Sequence, residues 1–333
     1  MKTRAVSIVV ALLAVVAAGA LVATRGLTGA PGTEPAALEE TAEPTQETPE
    51  VIDRIVEDVT EGAEPEPETE SQPAEPSFDA SAPVASETSA SGVSVTAPEG
   101  FLSTDAFARV EAEISALTSA GHHVGMVLHD LSTGNSVSYN ADERLYPASS
   151  IKALYSAMVC EANGGSGGMA NVMERCLVDS SNEDYEALID AYGMPAFGAW
   201  LRAHGAVEAA NDGLVWYYPY ISAGELAACW QEIYHYGTSG EAGGAELSGY
   251  LARTNYTPMG ALLRGECEVW AKPGWFPDNG ELVATNDAGV VFSESGPYVF
   301  AVMTDLSADL DGLTPLLAAL DEAHDVMCGS ATT

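Results

Sequence analysis

The stretch YPASSIKALY, residues 146–155, contains Lys152, one of only three lysines in a chain of 333 residues. Ser149 lies three positions before it, at the start of a segment whose apolar spacing predicts a helix. Three helical positions correspond to roughly 300° of rotation and about 4.5 Å of rise, so both side chains project from one face. A serine becomes a strong nucleophile when a base takes its proton, and a lysine of lowered pKa is such a base. The pair therefore predicts a nucleophilic serine, although this spacing alone is also common for an ordinary solvated lysine.

Two further segments carry residues of the same chemical kind. WAKPGW holds Lys272, the other lysine outside the N-terminal region. An ammonium group is costly to place in such an apolar and Gly/Pro-rich context unless it has a task. VDSSNEDY places Ser180 and Asn182 at the mouth of a predicted helix, where, taken alone, they are typical of a helix N-cap.

In chain order the three segments form the series S-x-x-K, S-x-N, K-x-G. This series resembles that of the penicillin-recognising serine enzymes, and most of all the class A β-lactamase branch. YNADERLYPASSIK (139–152) is similar to that family's approach to the nucleophile, and ATNDAGVVFSESGPYVFAVMTD (284–305) to its last two strands. The resemblance implies an α/β architecture of the α+β type, β-lactamase/transpeptidase-like. A five-stranded antiparallel sheet would be covered by helices, with an all-helical subdomain beside it.

The hydrophobic pattern predicts the same outline. Helical spacing over residues 103–120 is followed by a strand-turn-strand pattern over 123–140, a mostly helical middle, three strand-like segments and a closing helix. The simplest assembly is one largely antiparallel sheet covered by the terminal helices, with the helical block beside it.

The resemblance implies a role for each motif residue. Ser149 would be the acylated nucleophile, and Lys152 its base or proton relay. Ser180 would pass the proton to the leaving nitrogen, and Asn182 would hold the amide of the acyl side chain. Lys272 would bind the region of the substrate carboxylate and favour ionisation around Ser180.

The resemblance also implies further groups for substrate binding. The backbone N–H groups of Ser149 and of Trp275, the residue after Gly274, would form an oxyanion hole. Arg264, eight residues before Lys272, resembles a family arginine that helps to bind the substrate carboxylate.

The sequence departs from the family in two places. Pro273 stands where the family's K-T-G motif has a hydroxyl, so recognition of penicillin-like acids should weaken. The family's E-x-x-L-N loop, whose Glu activates the water that clears the acyl-enzyme, is missing between LRAHG and YISAGELA. Glu208 or Asp212, in the short segment that remains, could substitute for it. Without such a base, acylation is expected and hydrolysis of the adduct should be slow.

Three functions stay open on this reading. The sequence predicts a serine hydrolase that is acylated at Ser149 by β-lactams, or a D,D-peptidase (penicillin-binding protein) that acts on the stem peptides of peptidoglycan. The third is a module that binds wall fragments or antibiotics without useful catalysis, which has no need of an activated nucleophile. No cofactor or metal is implied, because the six histidines show no H-E-x-x-H pattern and no Gly-rich phosphate loop is present.

The N-terminal region predicts a membrane segment. Lys2 and Arg4 precede residues 5–24, which carry no charge and are numerous enough to span a bilayer. Residues 1–30 are therefore expected to be a membrane anchor, or a signal segment if cleavage occurs after Ala20. Either way the rest of the chain would be extracytoplasmic.

Composition divides the remainder of the chain in two. Residues 31–98 are rich in Pro, Glu, Ser and Thr and predict a disordered acidic tether, which leaves 99–333 as the β-lactamase-like serine hydrolase domain. The net charge of −37 repels phosphates and argues against nucleic acid as a partner.

Cysteines and aromatic residues suggest two further features. Cys160 and Cys176 flank NGGSGG and are the pair most expected to form a disulfide in an extracytoplasmic protein, out of five cysteines. The aromatic run VWYYPY, residues 215–220, either stacks on a substrate ring near the site or packs in the core.

Overall fold

The structure, a computed structural model, describes residues 78–329. The predicted membrane segment, residues 1–30, and most of the predicted tether, residues 31–98, lie outside the described residues. No helix within the described part is both long and apolar enough to cross a bilayer.

The strands of the described part are Val84–Thr88 (β1), Ser94–Pro98 (β2), Val124–Asp130 (β3), Ser136–Tyr139 (β4), Arg144–Leu145 (β5), Ile221–Ser222 (β6), Glu268–Ala271 (β7), Gly274–Phe276 (β8), Ala284–Ser293 (β9) and Gly296–Thr304 (β10). The main sheet is antiparallel and has the order β1-β2-β4-β3-β10-β9-β7, with β8 also paired to β9. β5 and β6 form a separate short pair.

The helices are Asp105–Ser119 (α1), Ile151–Asn163 (α2), Ala170–Val178 (α3), Asn182–Tyr192 (α4), Met194–Ala203 (α5), Val207–Asp212 (α6), Ala223–Thr238 (α7), Ala242–Leu251 (α8), Pro258–Leu263 (α9) and Thr314–Cys328 (α10). The predicted order of helix, hairpin, helical middle, strands and closing helix is therefore confirmed. The helix predicted over residues 103–120 begins at Asp105. Its N-cap is Thr104, whose hydroxyl accepts a hydrogen bond from the backbone N–H of Phe107.

The main sheet separates two hydrophobic cores because side chains alternate along its central strands. On β10, Val299, Ala301 and Met303 pack against the helical subdomain, which includes α2 and α7. Their neighbours Tyr298 and Phe300 face the opposite side, where α1 and α10 cover the sheet. Burial on both faces fixes the register of the strand, because a slip by one residue would move each side chain into the opposite core.

The sheet is larger than the predicted five strands. The segment predicted as one strand around Lys272 is two, because Pro273 has no N–H to donate and interrupts the pairing with β9 between β7 and β8. The other additional strands are β1 and β2, which extend the edge beside β4.

The β1–β2 hairpin also corrects the boundary between the tether and the domain. Residues 84–98 belong to the sheet, although they were predicted to be disordered tether up to residue 98. Their composition is misleading because β1 is an exposed edge strand of polar residues. The buried residues of the hairpin are Val93, Val95, Ala97 and Pro98.

The expected disulfide is not formed. All five cysteines lie within the described residues, and all are free thiols. The Cys160 sulfur lies inside the helical subdomain, 3.4 Å from the sulfur of Met173. Cys176 is also buried, and burial raises the pKa of its thiol to about 11. Both behave as small buried apolar residues, which was the alternative that the sequence left open.

Candidate active site

Ser149 lies on a short 3-10 turn, Ala148–Ser150, that leads directly into α2. Ala148 has a φ of 45°, in the left-handed region that residues other than glycine seldom adopt. Such strain persists only where the surroundings impose it, and here Ser150 Oγ donates to the carbonyl of Pro147 at 2.7 Å. The backbone is therefore strained immediately before Ser149, and the hydrogen bond from Ser150 holds it in that shape.

Asn286 on β9 holds the same turn from the sheet side. Its amide nitrogen donates to the carbonyl oxygens of Tyr146 and Pro147, at 2.9 and 3.0 Å. Its oxygen accepts from the backbone N–H of Thr304 on β10. This residue was not predicted, but a signal existed: Asn286 is a polar residue in a strand that is otherwise patterned for complete burial.

Lys152 is fully buried on α2, one turn after Ser149. Its amine donates to the carbonyl oxygen of Ser180 at 2.6 Å and to the side-chain oxygen of Asn182 at 2.7 Å. An ammonium group has three donors, so one remains for a hydroxyl at the start of the same helix. Burial lowers the pKa of Lys152 to about 8, which lets the amine accept a proton near neutral pH.

Ser180 and Asn182 lie where α3 gives way to α4. Ser180 has a φ of 60°, again in the left-handed region. The capping hydrogen bond of α4 is made by Ser181, whose hydroxyl accepts from the backbone N–H of Asp184. Ser180 and Asn182 are therefore not needed for capping, and their side chains accept hydrogen bonds from Lys272 and Lys152 instead. This distinguishes the cluster from an ordinary N-cap.

Lys272 is fully buried at the end of β7. Its amine donates to Ser180 Oγ at 2.9 Å and to the carbonyl oxygen of Pro273 at 3.2 Å. Burial first, and then the charge of Lys152, lowers the pKa of Lys272 to about 7. The two predicted lysines therefore meet at one serine, Ser180, from opposite sides of the cleft.

Gly274 brings β8 against the turn that carries Ser149. A Cβ atom at this position would lie 2.8 Å from the backbone nitrogen of Ser149 and 2.5 Å from that of Ser150, closer than carbon atoms approach. Only glycine permits the contact, and it places the next residue, Trp275, beside Ser149 at the rim of one cavity. This is the arrangement expected of the two predicted oxyanion donors.

The cavity in front of Ser149 has a volume of about 250 Å³ and is lined mainly by aromatic rings and polar side chains. Its lining residues are Tyr146, Ala148, Ser149, Asn182, Glu186, Tyr217, Tyr218, Trp275 and Phe276. Glu186 was not predicted.

The aromatic run over residues 215–220 lines the cavity and also packs against the core, while stacking on a substrate ring stays a prediction. Tyr146 lies at the centre of the cluster, 5.9 Å from the Tyr218 ring and 5.8 Å from the Phe276 ring. The Tyr218 hydroxyl donates to the Asn182 side-chain oxygen at 3.3 Å, while the Tyr217 carbonyl accepts from the buried Tyr185. The run therefore forms one wall of the cavity and also packs into the core beneath it.

Arg264 is not among the residues that line this cavity, contrary to its predicted role. Its guanidinium donates to the carbonyl and hydroxyl oxygens of Thr254, at 2.6 and 2.9 Å, and to the carbonyl of Leu251. These oxygens follow the C-terminal end of α8, where carbonyl groups without helical partners attract a cation. Because Thr254 in turn donates to the carbonyl of Ala271 at 2.7 Å, Arg264 supports the strand end that presents Lys272.

The two carboxylates proposed to replace the missing loop Glu lie elsewhere. Asp212 forms an ion pair with Arg144 at 2.5 Å, and Glu208 is exposed on α6. Neither lines the cavity that contains Ser149. Asp212 instead fixes Arg144 against the carbonyl of Tyr220, which stabilises the shortened loop.

A buried carboxyl group, Asp287, lies beneath Lys272. One of its oxygens accepts from the Thr257 hydroxyl at 2.7 Å and from the backbone N–H of Met259 at 3.0 Å. Burial raises the pKa of Asp287 to about 7, against these hydrogen bonds and the positive charges of Lys272 and Arg264. Asp287 was not among the predicted residues. A carboxyl group in a strand that is otherwise mostly apolar is a signal, because burying it requires hydrogen-bond donors or a cation nearby.

Within residues 78–329, two groups of side chains that could ligate a metal lie outside the cavity. They are Asp130, His324 and Cys328, and Glu161, His204 and Glu232. In the first group Asp130 already accepts hydrogen bonds from Thr133 and, at 2.9 Å, from His324. None of these residues lines the cavity that contains Ser149.

Comparison with known proteins identifies the family of this arrangement. The model of the β-lactamase enzyme family matches residues 109–165 and 163–320, which is more than half of the chain. A search of curated proteins gave no significant match.

Solved class A β-lactamases share the fold. A variant of the last common ancestor of Gram-negative bacteria β-lactamase class A is 21% identical, with a TM-score of 0.53 over 65% of this chain and 97% of that one. The β-lactamase of Sphaerobacter thermophilus DSM 20745 is 18% identical, with a TM-score of 0.56 over 67% and 97%. The TLA-1 extended-spectrum β-lactamase is 12% identical, with a TM-score of 0.55 over 68% and 100%. At these identities the likeness shows the fold alone.

Proposed function

Because the chain belongs to the β-lactamase enzyme family, we propose that it is a serine hydrolase whose Ser149 is acylated by β-lactams or by related D-alanyl peptides. The observation that carries the proposal is the convergence of two buried lysines on Ser180, beside a cavity that contains Ser149. Buried cations are costly, and a purely structural core has no reason to hold two of them side by side.

Acylation follows from the positions of these groups. The neutral Lys152 amine takes the proton of Ser149, and the freed Oγ attacks the carbonyl carbon of the substrate. The backbone N–H groups of Ser149 and Trp275 stabilise the oxygen as it becomes negative. Ser180 then gives the proton of its hydroxyl to the leaving nitrogen and regains one from Lys272, whose amine is hydrogen-bonded to that hydroxyl.

Substrate recognition should differ from that of a penicillin specialist. Pro273 supplies no hydroxyl next to Lys272, and Arg264 is occupied by Thr254. Lys272 therefore remains as the cation of this site nearest to a substrate carboxylate. We expect weak binding of that carboxylate, and a larger share of the binding from the aromatic wall of Tyr217, Tyr218 and Trp275.

A second candidate is a D,D-peptidase that acts on the stem peptides of peptidoglycan. It is favoured by the positions of Glu208 and Asp212, since neither lines the cavity to activate water. Both candidates share the acylation step and differ in how fast the adduct is released. A membrane anchor over residues 5–24 and an extracytoplasmic location, which would bring the domain to the cell wall, belong to this proposal as well.

The test is intact-mass spectrometry of the full chain after mixing with benzylpenicillin, with Ser149→Ala as the matched control. A mass increase of one penicillin on the wild type alone is the expected result. Persistence of the adduct favours the peptidase, and its decay with release of penicilloate favours the β-lactamase. Absence of any adduct and of any hydrolysis would refute acylation by β-lactams and leave a non-catalytic binding module.

A further inference from the structure

Hydrolysis of an acyl-serine requires a group that takes a proton from the attacking water. Glu208 and Asp212, the carboxylates that the sequence offered, do not line the cavity. The described residues that do line it include one carboxylate, Glu186 on α4.

Glu186 lies four residues after Asn182, so both side chains leave α4 on the same face. Both line the cavity that contains Ser149. Among residues 78–329 the Glu186 carboxylate has no ion-pair or hydrogen-bond partner, unlike the carboxylate of Asp184, which accepts from Arg175. A carboxylate with both oxygens available is free to accept hydrogen bonds from water.

The helix that carries Glu186 is firmly held. Tyr185, the preceding residue, is fully buried and donates to the carbonyl of Tyr217 at 2.7 Å. Tyr217 and Tyr218 line the same cavity as Glu186 and Ser149, so the contact that holds α4 also fixes this wall of the cavity. The cavity that Glu186 and Ser149 line has a volume of about 250 Å³, against the roughly 10–15 Å³ that one water requires, so water has access to both side chains.

We propose that Glu186 is the general base that activates water for hydrolysis of the Ser149 acyl-enzyme. This inference rests on the proposed function, because it requires an acyl group on Ser149. The water oxygen bonds to the acyl carbon while one of its protons passes to Glu186. The ester C–O bond then breaks, Ser149 Oγ recovers a proton through Lys152, and Glu186 returns its own proton to that amine. The product leaves as a carboxylic acid, and the enzyme is restored.

The test separates acylation from deacylation in the full chain. Glu186→Gln keeps the size and polarity of the side chain but removes the base. Benzylpenicillin adducts are followed by intact-mass spectrometry and penicilloate release by absorbance. We expect the acylation rate to stay within a few-fold of the wild type, and the adduct lifetime to increase by about 10²-fold or more. Glu186→Asp, which keeps a carboxylate on a shorter arm, should restore part of the deacylation rate.

Glu183→Gln is the matched control, because Glu183 is an exposed carboxylate on the same helix that does not line the cavity. Its adduct lifetime should equal that of the wild type. An unchanged lifetime in Glu186→Gln, or a permanent adduct in the wild type, would overturn the role of Glu186 while leaving acylation intact. Slower acylation with an unchanged lifetime would make Glu186 a substrate-binding residue instead. No adduct and no hydrolysis in any variant would overturn the proposed function itself, and the role of Glu186 with it.

Discussion

Lys272 Nζ donates a hydrogen bond of 2.9 Å to Ser180 Oγ, while Lys152 Nζ donates one of 2.6 Å to the carbonyl oxygen of the same residue. One serine thus connects a lysine on the helical subdomain with a lysine on the sheet. The left-handed backbone of Ser180 allows its hydroxyl and its carbonyl to serve different partners. The Ser180 hydroxyl can therefore exchange a proton with Lys272, while the carbonyl of the same residue holds the Lys152 amine in place.

Acylation should depend on the protonation of Lys152. Burial lowers the pKa of Lys152 to about 8, and only the neutral amine takes the Ser149 proton. The rate of acylation by benzylpenicillin should therefore rise with pH through about 8, as the amine loses its proton. Stopped-flow measurements of the adduct would give this profile.

Two variants check that assignment. Lys152→Arg should not acylate at any pH, because a guanidinium stays charged. Lys272→Met removes the other amine that titrates in this range, and the rise should persist at a lower rate. A rate that does not change with pH would contradict the role of Lys152.

Gly274→Ala should damage the site and the fold together. The new Cβ would meet the backbone nitrogens of Ser149 and Ser150 at 2.8 and 2.5 Å, so β8 or the turn must shift. We expect acylation to fall at least tenfold and the free energy of unfolding to fall by about 1–3 kcal/mol. Gly249→Ala on α8 is the control, because no atom would lie within 4 Å of its Cβ. It should raise stability by about 0.5–1 kcal/mol.

Asn286→Ala should loosen the turn before the nucleophile. It removes a partner from the carbonyl groups of Tyr146 and Pro147 and from the N–H of Thr304. The Pro147 carbonyl keeps its bond from Ser150, whereas each buried group left unpaired costs about 1–3 kcal/mol. We expect a lower melting temperature and a lower acylation rate. Asn255→Ala, which removes an exposed hydrogen bond to Asp179, should change both by little. Full activity in Asn286→Ala would show that the turn is held by other contacts.

Arg264→Ala tests whether this arginine binds substrate or supports the strand before Lys272. Because its guanidinium is bonded to Thr254 and Leu251, the variant should lower the melting temperature. It should reduce acylation equally for β-lactams with and without a carboxylate. Comparison of kcat/KM for the two kinds of substrate is the measurement. A loss confined to the acids would restore the predicted role in binding the carboxylate.

The motif residues stand out in the sequence because their chemistry is unusual for their surroundings. Lys152 and Lys272 are rare residues in apolar segments, and the structure brings both to Ser180. Local spacing alone did not show this convergence, since the segments are about a hundred residues apart. It came from the order of the motifs and their resemblance to a family.

The features that were missed depend on packing, which a single segment does not reveal. Glu186 is one of many acidic residues in the sequence, and only the cavity distinguishes it from Glu183. Arg264 was predicted to bind the substrate carboxylate from its position eight residues before Lys272. Its guanidinium is hydrogen-bonded to Leu251 at the end of α8. The β1–β2 hairpin was read as tether because an exposed edge strand has the composition of a disordered segment.

The alternation of side chains on β10 has a practical consequence. Ser149 and Lys152 lie at the start of α2 in the helical subdomain, whereas Lys272 directly follows β7 and Gly274 begins β8. The cleft therefore forms only when the helical subdomain packs against the sheet. Under the proposed function, a fluorescent penicillin would tag only molecules in which that docking is complete. During refolding, the fraction of labelled molecules would equal the fraction in which the subdomain and the sheet have packed together. This fraction should rise later than the helical signal in circular dichroism.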